Sequence, residues 1–120
     1  MKLITPELQS RFIEIGGQSE IKNPLVIAKF FDPVGSATWY ATEYNPETKI
    51  CLGYVTGLAY DEWGTFSIDE LESIRRPLGL FIERDIYFKE IAFNDLLEKK
   101  RLPEIKQEHS EKQKNQELEL

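Results

Sequence analysis

Three acidic side chains fall within runs that read as strands and stand beside aromatic residues: Glu43 in WYATEY, and Glu83 and Asp85 in FIERDIYF. Desolvation beside rings raises a carboxylate pKa, the condition for general acid–base work, and converging carboxylates also hold magnesium. The simpler reading pairs them with Lys29, Arg75 or Arg84 as ion pairs, and it is preferred here. A second set is aromatic: Trp39, Tyr40, Tyr44, Tyr54, Tyr60 and Trp63. Rings displayed on a sheet stack nucleic-acid bases when basic residues follow the backbone, a role open to Arg75, Arg76 and Arg84. Their sequence neighbours Glu43, Glu47, Asp61 and Glu62 repel phosphate, so core filling and protein contact suit the rings better.

The run TFSIDELESIRRPLG packs three carboxylates and two arginines together. Ser67 followed by Glu70 is a capping box, with Asp69, Glu70 and Glu72 near the positive end of a helix dipole and Arg75 and Arg76 near the negative end. Helix physics alone explains every charge, and the run is read as a capped helix over 67–76. The single histidine, His109, lies among glutamines and lysines, and Cys51 lies in an apolar strand. Neither fits a Ser-His-Asp or Cys-His nucleophile system. No GxGxxG, P-loop or HExxH motif occurs, and GGQS at Gly16 suits a helix stop better than a phosphate cradle. No cofactor and no metal site follow from these residues.

The elements that must position these groups can be read in order. ITPELQSRFIEIGG is a helix with Thr5 as cap, Pro6 in its first turn, Gly16 and Gly17 as its stop, and Leu8, Phe12 and Ile15 as its apolar stripe. NPLVIAKFFDP (23–33) reads as one strand between prolines, SATWYATEYN as a second and ICLGYVTGLAY as a third, with NPETK turning between them. Alternation puts Trp39, Ala41 and Glu43 on one face of the second strand and Thr38, Tyr40, Thr42 and Tyr44 on the other. Gly53 and Gly57 signal a bulge or a close approach by another element. Asp61 through Gly64 is expected to turn the chain into a short strand at Thr65 and Phe66, and LFIERDIYF reads as a further strand. In that strand Arg84 is either buried with a carboxylate or placed at a sheet edge. Asn94 opens a short amphipathic helix, and the segment after Pro103 reads as a charged, solvated tail.

Local connections of this kind specify an α+β fold, a small antiparallel meander packed with an N-terminal helix and the short capped helix. One globular domain over 1–93 is expected, with 94–120 as helix and tail. The chain has 120 residues and a net charge of −6 from 15 basic and 21 acidic residues, which disfavours non-specific nucleic-acid binding. One cysteine permits no internal disulfide, and no apolar run reaches membrane-spanning length, so a cytoplasmic protein without membrane partners is expected.

The blocks MKLITPEL, VIAKFFDP, TWYATEYNPE, GYVTG, EWGTFSIDELESIRRPLGL and IERDIYF together resemble a bacterial domain-of-unknown-function family of short proteins carried on plasmids and other mobile elements. The resemblance spans roughly residues 1 to 90 and implies an accessory role in mobile DNA, without an activity, cofactor or catalytic residue. Arg76 stands where the family pattern has glycine, and Phe81 where it has proline.

Three functions are consistent with these residues. The leading one is a non-enzymatic protein-binding or regulatory module, with an acidic surface at Glu43, Glu47, Asp61 and Glu62 offered to a DNA-processing or restriction protein. The second is a single-stranded nucleic-acid binder built on Trp39, Tyr40 and Trp63 with Arg75, Arg76 and Arg84. The third is a metal-assisted carboxylate enzyme using Glu43, Glu83 and Asp85.

Overall fold

The structure, a computed structural model, describes residues 1–101. In chain order its elements are α1 (Pro6–Ile15), β1 (Leu25–Val26), β2 (Ala28–Phe31), β3 (Thr38–Asn45), β4 (Ile50–Thr56), β5 (Glu62–Ser67) and α2 (Ile68–Ser73). There follow β6 (Arg75–Arg76), a 3-10 turn (Pro77–Gly79), β7 (Leu80–Phe81), β8 (Glu83–Arg84), β9 (Ile91–Ala92) and α3 (Phe93–Arg101). Five strands form an antiparallel sheet in the order β5-β4-β3-β2-β8, while β1 pairs with β9 and β6 with β7. The architecture is α+β.

The two faces of the sheet have separate cores. On one, α1 and α2 bring Phe12, Ile68 and Leu71 against Phe30, Trp39 and Cys51. On the other, α3 lays Phe93 and Leu96 over Val26 and Tyr40, with Tyr54 and Phe88 packed alongside. Lys100, one further turn along α3, sets its ammonium 5.1 Å from the Tyr40 ring centre and donates to Thr56 Oγ1 at 3.0 Å.

Helix α1 forms as its sequence dictates: Thr5 Oγ1 accepts from Leu8 N–H, and Gly16, at φ 75°, donates its N–H to the Phe12 carbonyl. In β3 a bulge interrupts the expected alternation, because the register with β4 shifts between Ala41 and Glu43. Tyr44 therefore joins Trp39 and Ala41 on the α1 side, its ring 5.8 Å from Phe12, and Glu43 moves to the α3 side opposite Leu52. Gly53 shows the close approach its sequence position signals, since a side chain there would collide with the Tyr40 carbonyl.

Four expected boundaries shift, each for a local reason. The run over 23–33 divides into β1 and β2 at Ile27, whose N–H turns to the Ala41 carbonyl at 2.9 Å. The loop expected at Asp61 through Gly64 lies earlier, because Gly57 at φ 82° packs on the Ser36 carbonyl and donates to Asp61 Oδ1, leaving Glu62 free to begin β5. The helix expected over 67–76 ends at Ser73: Ser67 Oγ caps Glu70 N–H at 3.2 Å, but Pro77 excludes helical geometry at Arg76, and both arginines are extended in β6. The strand over 80–88 becomes β7 and β8, then turns at Asp85, whose Oδ1 accepts from Tyr87 N–H.

Helix α3 begins at Phe93, one residue ahead of its expected Asn94 cap, and its cap comes from elsewhere in the chain. Asn23 Oδ1 accepts from Asn94 N–H and the Pro24 carbonyl accepts from Phe93 N–H, both at 2.8 Å. The expected tail after Pro103, with His109, lies outside the described residues.

The bulge leaves the Thr42 carbonyl inside the protein, and buried Gln18 satisfies it. Its Nε2 donates to Thr42 O at 2.8 Å and to Leu25 O at 2.9 Å, while its Oε1 accepts from Leu25 N–H at 2.7 Å. Gln18→Ala strands these groups and is expected to cost roughly 2–4 kcal/mol in urea unfolding. A loss below about 0.5 kcal/mol, within the range of ordinary surface substitutions, would show that the amide does not pin the loop.

Candidate functional site

The two edges of the five-stranded sheet differ. At β8 the edge is short and covered by the chain's own N-terminal residues. Arg84 N–H donates to Met1 Sδ, and the Arg84 guanidinium donates through Nη1 to the carbonyls of Lys2 and Leu3, both at 2.9 Å. This places Arg84 at a sheet edge, paired with backbone carbonyls rather than with a carboxylate.

At the opposite edge, β5 runs for six residues, EWGTFS, with no lysine and no proline. Ile68 N–H donates to the Lys49 carbonyl across the β4–β5 register, so the ladder bonds to β4 fall on Glu62, Gly64 and Phe66. Trp63 and Thr65 consequently point their N–H and C=O groups away from the sheet. Among the described residues these groups have no hydrogen-bond partner. Proteins usually blunt such an edge with charge, proline, a bulge or a covering segment.

A depression flanks β5 on each face. On the α3 face a cleft of about 470 Å³ is lined by Trp63, Leu52, Thr42, Phe93 and Pro24, with Lys22 and Asn94 among its polar residues. Trp63 is 41% exposed, its ring held 4.6 Å from Phe93 and 5.6 Å from Tyr54. On the other face a groove of about 370 Å³ runs over Trp39 and Val55, between the Leu58–Tyr60 loop and Phe66, where Gly64 contributes no side chain. An extended chain laid along β5 would direct alternate side chains into the two depressions.

The residues singled out from the sequence are mostly scattered. Trp39 and Tyr40 are both buried and on opposite faces, so with Trp63 they do not make a stacking platform. The arginines do not line those rings either. Arg75 lies 5.7 Å from the Phe81 ring, Arg76 donates to Asp32 at 3.0 Å, and Arg84 holds the N-terminal carbonyls. Glu43 accepts from Ser19 Oγ at 2.8 Å, whereas Glu83 and Asp85 lie at the β8 edge, Asp85 3.5 Å from Lys29. The three carboxylates do not converge: Glu43 lines one depression, and Glu83 and Asp85 line another. Glu43 and Glu47 sit at the β3–β4 turn while Asp61 and Glu62 precede or open β5, at the other end of β4, so they form no single acidic surface.

Of the aromatic candidates, Trp63 lines both depressions, while Trp39 and Tyr60 line the groove on the other face. The open edge and Gly64 were not legible as functional, because a strand's edge position depends on pairing partners far along the chain. The one available signal was a mid-strand glycine in a run free of lysine and proline.

Burial pushes the Cys51 thiol up from 9.0 to about 12, and burial also raises the Tyr40 and Tyr44 phenols. Because the unfolded chain loses these protons first, stability falls as pH rises from about 9 towards 12. Denaturation midpoints are expected to drop across this range, less steeply in Cys51→Ala. Native Cys51 should react with an aromatic disulfide reagent only as fast as the protein opens, so rapid stoichiometric labelling of the folded protein would contradict its inert role.

No helix among the described residues is long and apolar enough to cross a membrane. No curated protein and no solved structure matches the chain. A match does come from the family described as "Protein of unknown function (DUF2958)", over residues 3–94, a span that contains every strand of the sheet and both depressions beside β5. The chain belongs to that family.

Proposed function

We propose that this chain is a non-enzymatic protein-binding module that captures an extended segment of a partner along β5. The observation that carries this reading is the contrast between the two sheet edges: β8 is covered by the N-terminal residues, whereas among the described residues Trp63 and Thr65 offer unpaired backbone groups beside an exposed aromatic ring. Strand addition of this kind takes its affinity from main-chain hydrogen bonds and its specificity from pockets for alternate side chains. The carriage on mobile DNA implied by the sequence resemblance makes a DNA-processing or restriction protein the partner class to test first.

A proline at position 65 tests the edge directly. The Thr65 N–H points outward, so Thr65→Pro removes no bond to β4, whereas Phe66→Pro removes a ladder bond. Thr65→Pro is expected to retain the native circular dichroism spectrum and to lose at least about nine-tenths of the partner in affinity capture from the host, with nuclease present in one arm. Unchanged capture by a folded Thr65→Pro variant, or recovery only through nucleic acid, would overturn the proposal.

A further inference from the structure

Gly53 and Gly64 face each other across β4 and β5, yet only one of them is required by the interior. A Cβ at Gly53 would strike the Tyr40 carbonyl, whereas one at Gly64 would meet nothing within 4 Å. The Gly64 backbone also does not occupy the positive-φ region. Glycine within a strand sacrifices stability through backbone entropy and lost packing, and it marks places where a ligand or another backbone approaches. Here the missing side chain opens the groove over Trp39 and Val55.

Charge defines what lies beyond the two ends of that groove. Asp61 and Glu62 stand at the start of β5, and Asp69 and Glu70 follow its end in the first turn of α2. Two lysines oppose these four carboxylates: Lys49 reaches Asp69 at 3.5 Å, and Lys100 lies within the field of Asp61. Each end therefore keeps a net negative charge. Six residues of strand separate the ends by about 20 Å.

We propose that β5 takes up, as a sixth strand, a peptide segment that sets a large aliphatic side chain over Gly64 and carries lysine or arginine on both flanks. This rests on the reading of β5 as a protein-binding edge and adds the chemistry of the occupant. The aliphatic side chain fills the groove on the Trp39 and Val55 floor, while its neighbours on the α3 face meet the Trp63 ring. The basic flanks meet Asp61 and Glu62 at one end and Asp69 and Glu70 at the other.

A second copy of the chain is a poor occupant. Antiparallel self-pairing about Thr65 sets Asp61 of one copy opposite Asp69 of the other, placing like charges together. Self-pairing about Gly64 sets the two glycines face to face and leaves both grooves unfilled.

The test uses fluorescent peptides of alternating threonine and leucine with paired lysines at both ends. One comparison peptide carries glutamates at the ends, and another has glycine in place of leucine. The lysine-flanked leucine peptide is expected to bind at least roughly tenfold more tightly than either, with the advantage over the glutamate peptide shrinking as salt rises. Gly64→Val fills the groove without an internal clash, so it should unfold at an equal or higher denaturant concentration and still bind this peptide at least about tenfold more weakly. The double variant E62K/D69K should shift preference towards the glutamate-flanked peptide.

Equal binding of all three peptides, abolished by Thr65→Pro, would overturn this assignment and leave the edge reading standing. Peptide binding indifferent to Thr65→Pro would overturn both. Failure of the lysine-flanked peptide to bind at millimolar concentration would overturn the assignment alone, because host capture with Thr65→Pro decides the edge reading independently.

Discussion

The buried amide of Gln18 is the constraint on which the rest of the sheet depends. A bulge at Thr42 frees a carbonyl that would be costly to bury unpaired, and Gln18 supplies its donor while also bonding both backbone groups of Leu25. Satisfying the bulge lets Tyr44 pack under α1 while Glu43 turns outward. It also fixes the segment after α1, from which Asn23 and Pro24 accept the first free N–H groups of α3. Through that cap Phe93 is positioned against Trp63, so the exposed ring beside β5 is held by a side chain on the far side of the cleft.

How much of this was readable from the sequence depends on the range of the interaction concerned. Thr5, Pro6 and Gly16 mark α1 because caps act within one turn, and the Asn45–Lys49 turn is legible because Asn45 Oδ1 accepts from Glu47 and Thr48 within the same few residues. The extent of α2 is legible too, because Pro77 bars helical geometry at Arg76 and this steric rule outweighs the charge sorting that would extend the helix to the arginines. The Thr42 bulge and the cap of α3 were not legible. Gln18 is twenty-four residues from Thr42, and Asn23 is seventy-one from Asn94, so no local pattern links them.

The aromatic residues illustrate the same limit on the site itself. Trp39, Tyr40 and Trp63 look equivalent in the sequence, but the first two lie on central β3 and are buried from opposite sides. Trp63 lies on the edge strand and, among the described residues, stays 41% exposed. Strand order separates display from core filling, and strand order is a property of the whole chain. The arginines follow suit: Arg76 and Arg84 anchor the β6–β7 hairpin and the N-terminal segment, so their charges serve the fold.

An open edge strand in a small protein raises the question of what prevents aggregation, and the distribution of charge gives a physical answer. The β5 strand itself carries one charged residue, Glu62, so its backbone groups remain accessible along most of its length. Asp61 before it and Asp69 and Glu70 after it place acidic charge where a second copy, paired antiparallel about the strand centre, would bring like against like. Charge on the strand would have closed the edge to every partner. Charge at its ends instead opposes self-pairing, and under the proposed strand addition it would favour a segment of opposite sign. The position of acidic charge at the ends of one strand is a physical property of this edge that the net value of −6 alone does not reveal.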